Sequence, residues 1–309
     1  MNGKHPFHDG ERAVQARAGE TATADRHLAM VGDEVIGGAR PFIASQGMVA
    51  LGNTDAAGRP WASLMFGAPG FAHTADGQFI TVDMPASRRD ATDPLWAGIR
   101  PGADLGMLFI ELGTRRRYRV NGTVVRDDGA GIEVMVREAY PNCPKYIQRR
   151  VLRTLCHGGA DAQSAAGTAF AGSVDGIIRA ADTLFIATRH AEAGADVSHR
   201  GGEAGFIQRI DAHTLRIPDY PGNSLFNTWG NLAVDPHAGL CIPDFTHGRL
   251  LQLTGTATLL FDEEDAAGAT GGTRRFITFH LTEWTLRDAM PRAEWTYLDA
   301  SPFNPPANP

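Results

Sequence analysis

The sequence predicts a mainly β chain with peripheral helices (β+α), arranged as two copies of one all-β unit. From Pro41 onward, short apolar runs alternate with turns rich in glycine, aspartate and asparagine, which is the pattern of successive β-strands. A length of 309 residues suggests about two domains. Segments of similar sequence also recur at a nearly constant spacing, which favours a repeat over the alternative of a single long β-sandwich.

The repeat rests on pairs of aligned segments. Residues 61–71 align with residues 196–206, an offset of 206 − 71 = 135 positions. Residues 119–123 align with residues 252–256, an offset of 256 − 123 = 133 positions. Because the two offsets agree within the length of a loop, we expect the same strands in both halves of the chain.

The predicted elements follow in chain order. Helix-forming residues with spaced apolar positions predict one or two helices between Gly10 and Ile36. After the first group of strands, the Asn142-Cys143-Pro144 sequence predicts a basic helix that continues to Leu152. We divide the chain into a helical lead-in (1–40), a first unit (41–157), a linker (158–174), a second unit (175–300) and a tail (301–309).

The stretch from Gly205 to Leu240 combines two strands, a Pro-Gly-Asn turn and a short helix that ends at Asp235-Pro236. Asn223 and Ser224 are predicted to cap this helix. A helix start exposes backbone N–H groups and suits an anion, so this turn is a candidate binding site. An ordinary corner between a strand and a helix is the alternative.

Composition excludes several functional classes. A net charge of −6 without a long basic run argues against nucleic-acid binding. Because the sequence has no apolar stretch long enough for a signal or a membrane span, we expect a cytoplasmic protein without membrane contact. The three cysteines lack CxxC spacing, and no metal-ligand motif occurs, so we predict reduced thiols and no metal site. Signatures of Rossmann, P-loop, zincin and serine-hydrolase proteins are absent from the sequence.

Six segments occur in one order along the chain: GRPWAS, PGF, RRRYRVNG, NCPKYIQ, DVSHRGG and FNTWGNL. In this they resemble the tandem-barrel group of the pyridoxamine 5'-phosphate oxidase-like, FMN-binding split β-barrel family. The resemblance covers roughly residues 7–290. It implies two tandem split β-barrels with FMN held in a groove between them.

The resemblance also implies which residues meet the cofactor. The strand containing Ser198, His199, Arg200 and Gly201 would run beside the flavin ring, with His199 and Arg200 as the candidate catalytic groups. The phosphate would meet the turn and helix start that follow. The remaining implied cofactor-binding residues are Asn223, Ser224, Asn227, Thr228, Ser63, Arg119 and Lys145.

The phosphate turn departs from the family pattern, because GNSLFNT contains no arginine or lysine where the family has a cation. Without a charge-assisted bond of about 1.5–3 kcal/mol, FMN would bind roughly ten- to a hundredfold more weakly. Another cation would have to reach the phosphate, and the candidates are Arg200, Arg209, Lys145 and Arg249.

The resemblance therefore predicts a flavin-dependent oxidoreductase that acts on a small-molecule substrate, forms a homodimer and has a possible reductase partner. The alternative is a non-catalytic module that holds flavin or haem for a partner protein.

Overall fold

The computed structural model describes residues 6–155, 164–288 and 293–306. Two helices open the chain, α1 (Asp9–Arg17) and α2 (Thr21–His27), and α3 (Arg40–Ser45) leads into the first strand. His8 begins α1 with a capping box, in which its side chain bonds to the helix backbone and the Glu11 side chain returns to the His8 backbone. The predicted helical lead-in is present. No helix of the described residues is long and apolar enough to cross a membrane.

Seven antiparallel strands form the first sheet: β1 (Met48–Thr54), β2 (Pro60–Phe66), β3 (Ala72–His73), β4 (Phe79–Val82), β5 (Asp104–Glu111), β6 (Arg116–Asp127) and β7 (Ile132–Pro141). Their order in the sheet is β2-β1-β5-β6-β7-β4-β3. Strands β8 (Arg149–Leu155) and β9 (Ser164–Gly167) follow along the chain.

Helix α4 (Ser173–Ala180) precedes the second sheet in the chain. Helix α5 (Asn227–Val234) lies in the connection between two strands of this sheet. The strands of the second sheet are β10 (Thr183–His190), β11 (Gly194–Gly201), β12 (Gln208–Arg209), β13 (Thr214–Asp219), β14 (His237–Asp244), β15 (Arg249–Leu260) and β16 (Arg275–Arg287). Their order is β11-β10-β14-β15-β16-β13-β12, β9 pairs with β16, and β17 (Ala293–Asp299) pairs with β8.

The two sheets have the same strand order, and their registers correspond. Leu51 faces Ser63 across β1 and β2, and Ile186 faces Ser198 across β10 and β11. The register also shifts at equivalent places, after Asn121 in β6 and after Thr254 in β15. The mainly β fold with peripheral helices is confirmed, whereas closure of each sheet into a split barrel stays a prediction.

One local prediction is wrong because a distant strand supplies a better partner. Residues 149–155 form β8 instead of continuing a helix, since they pair with β17 near the end of the chain. Tyr146 has a φ of 67°, which is incompatible with a helix at that point. The small polar segment predicted as a linker contains β9, whose residues pair with β16.

Glycines allow the two sheets to pack closely. One apolar cluster contains residues of both sheets, including Leu64 and Leu108 from the first and Phe185 and Val197 from the second. At Gly106 in β5, an added Cβ would lie 2.8 Å from backbone atoms of Asp196 in β11. Since both partners are strand backbone, a side chain at this position would force the sheets apart.

We therefore expect Gly106→Ala to lower the free energy of unfolding by about 1–3 kcal/mol. Gly129→Ala is the matched control, because an added Cβ at Gly129 meets nothing within 4 Å. Urea denaturation followed by tryptophan fluorescence measures both. Equal loss of stability in the two variants would contradict close packing at Gly106.

Candidate functional site

A cleft lies between the two sheets, where β6 of the first sheet approaches β11 and the start of α5 in the second. The turn after β7 and the end of β13 complete its walls. Ten of the eleven residues expected to bind the cofactor line this one cleft: Arg119, Lys145, Ser198, His199, Arg200, Gly201, Asn223, Ser224, Asn227 and Thr228.

Ser63 is the exception. It lies in the first sheet, at the position that corresponds to Ser198 in the second sheet. Its hydroxyl donates to Asp93 at 2.5 Å. The buried guanidinium of Arg287 also bonds to Asp93 at 2.8 Å and to Gln252 at 2.6 Å. Because Gln252 and Ser63 are the counterparts of Arg119 and Ser198, the place equivalent to the cleft is filled by the Arg287 side chain.

Arg119 joins the walls of the cleft. Its Nε lies 3.0 Å from Asp196 Oδ1, and its Nη1 donates to Tyr140 at 2.8 Å and to Asn227 at 3.2 Å. Thr228 donates to the hydroxyl of Ser198 at 2.9 Å. These bonds tie β6, β11 and α5 together, so Arg119 chiefly holds the cleft in shape.

His199 offers an unused hydrogen-bond donor in the cleft. Arg117 Nη1 lies 3.3 Å from His199 Nδ1, and because arginine can only donate, Nδ1 must accept and the proton stays on Nε2. Burial, followed by the charges of Arg117 and Arg200, lowers the pKa of His199 well below its usual value, so the ring is neutral. Its Nε2 is buried and has no hydrogen-bond partner among the described residues.

Arg117 is a cation that sequence reasoning did not assign to the site. Its Nε donates to the backbone oxygen of Cys143 at 2.7 Å, and no carboxylate pairs with it among the described residues. Burial and the neighbouring charge of Arg119 lower its pKa to about 10, so it remains charged at neutral pH. The alternation of arginines along β6 was the available signal, since Arg117 and Arg119 share one face of the strand.

Two further guanidinium groups share one carboxylate at the other wall. Arg200 Nη1 lies 3.7 Å from Asp219 Oδ1, and Arg275 Nε donates to Asp219 Oδ2 at 3.0 Å. Arg275 also bonds to Glu20 at 2.8 Å. The cleft therefore carries an excess of positive charge, which suits an anionic ligand. Sequence reasoning missed Arg275 because it lies in β16, far along the chain from the phosphate turn.

The predicted cation candidates divide into two groups. Arg200 and Lys145 line the cleft. Arg209 pairs with Asp175 at 2.8 Å and Arg249 pairs with Asp244 at 2.7 Å, and neither lines the cleft. Arg209 and Arg249 are therefore suitable control positions, because replacing either one removes a positive charge outside the cleft.

Helix α5 begins at Asn227, not at the predicted caps. Asn223 Oδ1 accepts from the backbone of Leu225 at 3.2 Å, and the Ser224 hydroxyl donates to Glu20 at 2.5 Å. Phe226 precedes the helix in a left-handed conformation and gives no side-chain cap. The caps predicted from sequence are wrong because the helical lead-in brings Glu20 to Ser224. No side chain caps the first turn of α5, and Asn227, Thr228 and Trp229 of this turn line the cleft.

The glycines after Arg200 serve contacts within the protein. An added Cβ on Gly201 would lie 2.1 Å from the backbone oxygen of Tyr146, and on Gly202 it would lie 2.7 Å from Cβ of Phe206. The space beside these glycines is filled by Tyr146 and Phe206.

Glu11 on α1 lies behind the cleft. Its Oε1 accepts from Asn227 at 2.8 Å, and its Oε2 accepts from the backbone of His8 at 3.0 Å. Burial raises the pKa of Glu11 to about 8, and the nearby carboxylates of Glu138 and Asp196 add to the effect. The lead-in therefore contributes a buried carboxyl group to the support of α5.

Comparison with known proteins gives partial structural matches. No protein-family model matches the chain, and no curated protein matches it. HupZ from Group A Streptococcus is 15% identical, and its match covers 34% of this chain and 84% of HupZ with a TM-score of 0.28. An FAD-binding protein from Mesorhizobium loti is 11% identical over 41% of this chain and 97% of that protein, with a TM-score of 0.29.

A third match is a protein from Clostridium acetobutylicum that is related to general stress protein 26 and belongs to the pyridoxinephosphate oxidase family. It is 10% identical over 41% of this chain and 92% of that protein, with a TM-score of 0.28. Proteins described as a pyridoxamine 5'-phosphate oxidase or as a member of the pyridoxinephosphate oxidase family are among the solved structures that this chain is similar to.

The raised pKa of Glu11 predicts a pH-dependent stability. A carboxyl group with a pKa of about 8 in the folded chain, against an ordinary value of 4.5, favours folding when protonated, so stability is lost as pH rises from about 5 to 8. We expect Glu11→Gln to reduce this pH-dependent loss in the free energy of unfolding by about 2–4 kcal/mol. Urea denaturation at a series of pH values measures it, and Glu34→Gln at an exposed position should keep the wild-type slope. Identical slopes for Glu11→Gln and wild type would refute the assignment.

Proposed function

We propose that this chain is an FMN-binding oxidoreductase of the pyridoxamine 5'-phosphate oxidase-like type, acting on a small-molecule substrate from a single cleft. The observation that carries the proposal is that two groups with unmet binding capacity lie side by side in the cleft. His199 Nε2 is a donor without an acceptor, and Arg117 is a cation without a carboxylate, among the residues described. A ligand with acceptor oxygens and negative charge satisfies both groups.

FMN fits this set of donors at both of its polar ends. The uncapped start of α5, with Arg200 and Arg275 beside it, suits a phosphate group. The GNSLFNT turn contains no cation, but Arg200 from β11 and Arg275 from β16 supply positive charge to the cleft. His199 and Arg117 suit the carbonyl oxygens of a flavin ring.

Bound FMN would supply the redox chemistry, and residues of the protein would bind the FMN and polarise its ring. Arg117 and Arg200 are partly buried cations at the cleft that favour negative charge on a ligand. His199 is neutral because its pKa is lowered, so its role is to donate a hydrogen bond and not to transfer a proton near neutral pH.

A non-catalytic module that holds flavin or haem for a partner is the second candidate. The protonation states of His199 and Tyr146, which line the cleft, favour it. His199 stays neutral, and burial raises the pKa of Tyr146 at the cleft to about 12, so neither titrates near neutral pH. Binding of a planar cofactor needs no such group, whereas many flavin reactions do.

We expect purified protein to quench the fluorescence of added FMN with a stoichiometry of one FMN per chain, because Arg287 fills the equivalent place. Arg200→Met should weaken binding about tenfold through loss of one charge-assisted contact. Arg249→Met removes an arginine outside the cleft and should bind FMN as wild type does. Absence of quenching by the wild-type protein, or equal affinity of the two variants, would contradict the proposal.

Reduction distinguishes the two candidate functions. An oxidoreductase should lose its flavin absorbance when NADH or NADPH is added without oxygen, either alone or with a reductase. A holding module should keep oxidised cofactor under the same conditions. The mass of the cofactor released on denaturation directly after purification separates FMN from haem.

A further inference from the structure

A second pocket lies beyond the end of β11, on the other side of the Gly201-Gly202 pair from the cleft. The paired strands β8 and β17 form one wall, and the turn after β14 forms another. Gln148 connects the two places, since its Nε2 donates to the backbone oxygens of Tyr146 at 3.2 Å and Gly202 at 3.1 Å. None of the residues expected to bind FMN lines this pocket.

Three aromatic side chains line the pocket: Phe245, Trp295 and Tyr297. The rings of Phe245 and Trp295 meet edge to face, with centroids 5.1 Å apart. The guanidinium carbon of Arg150 lies 4.4 Å from the centroid of Phe245 and 5.1 Å from that of Tyr297. Tyr297 is 53% exposed, so a large apolar face remains uncovered at the mouth of the pocket.

Two donors of the pocket have no acceptor. Arg150 Nη2 bonds to Asp182, but its Nη1 is buried and has no hydrogen-bond partner among the described residues. The same holds for the indole Nε1 of Trp295. Buried donors are nearly always paired in folded proteins, so an acceptor brought by a ligand would remove an unfavourable feature of this site.

The charges of the pocket disfavour an anion. Asp182, Glu203 and Glu294 line it together with the single cation Arg150. Asp182 forms an ion pair with Arg150, and Glu203 accepts a hydrogen bond from Asn304 at 3.0 Å. A carboxylate ligand would meet repulsion from this rim, whereas a neutral ligand would not. A group that can also donate a hydrogen bond would gain from the acidic rim.

We propose that this pocket is a separate binding site for a flat aromatic molecule with a neutral carbonyl acceptor, such as an aromatic carboxamide. The ring stacks against Trp295 and Tyr297, and the carbonyl oxygen accepts from Trp295 Nε1 or Arg150 Nη1. Amide N–H groups face the acidic rim. The site is independent of whether the cleft holds FMN.

Benzamide and benzoate are the matched probes, since they have the same ring and differ in charge. In protein with ¹⁵N-labelled tryptophan, each of the five indole N–H groups gives one resonance, and the resonance absent from Trp295→Phe assigns Trp295. Benzamide should shift the Trp295 resonance in a saturable manner. Benzoate should require at least about tenfold higher concentration, because of the acidic rim.

Variants test the two donors. Trp295→Phe keeps a ring in the wall but loses the donor, so the affinity for benzamide, measured from ligand line broadening, should fall about fivefold. Arg150→Lys keeps a charge beside Asp182 and should show a similar loss, whereas Trp96→Phe in the first unit should bind as wild type does. The proposal fails if the Trp295 resonance does not move, if only other tryptophan resonances move, or if benzoate binds as well as benzamide.

Discussion

The ion pair between Arg119 and Asp196 is the contact on which the site depends. The two side chains are only 6% and 4% exposed, so both charges are removed from water. Such a pair is favourable only when the remaining polar atoms are also bonded. Here Tyr140, Asn227 and the backbone of Val197 accept from the guanidinium. Because Arg119 belongs to the first sheet and Asp196 to the second, the pair fixes the two sheets and the start of α5 as one frame around the cleft.

The two halves of the chain have the same strand order, but they differ in the side chains at the positions around the Arg119–Asp196 pair. Arg287 faces Leu250 in the second sheet, and the equivalent place beside Arg117 in the first sheet belongs to Asn142. A long guanidinium fills the space in one half, and a short amide leaves it open in the other. Gln252 replaces Arg119 at the filled place and bonds to the backbone of Ala62 at 2.9 Å. These two side-chain exchanges account for a cleft on one side and a buried polar network on the other.

Segments at both ends of the chain complete the binding region. Gly10 on α1 packs so closely on α5 that an added Cβ would lie 2.3 Å from the backbone oxygen of Gly230. This approach places Glu11 against Asn227 and Glu20 against Ser224. Near the other end, Ser301 accepts from the backbone of Tyr146 at 3.1 Å and donates its own backbone N–H to Gln148 at 2.8 Å. The cleft and the aromatic pocket are therefore built from parts of the chain that lie far apart in sequence.

The sequence by itself determined the mainly β class, the helical lead-in and ten residues that share one cleft. These features follow from local periodicity, from turn residues and from a repeat whose members occupy equivalent strand positions. Tertiary structure decided the rest. Pairing with β17 made a strand of residues 149–155, Glu20 displaced the predicted caps of α5, and Arg287 enclosed Ser63. It also brought Arg117 and Arg275 to the cleft. Each outcome depends on contacts between residues distant in sequence, whose geometry no local pattern encodes.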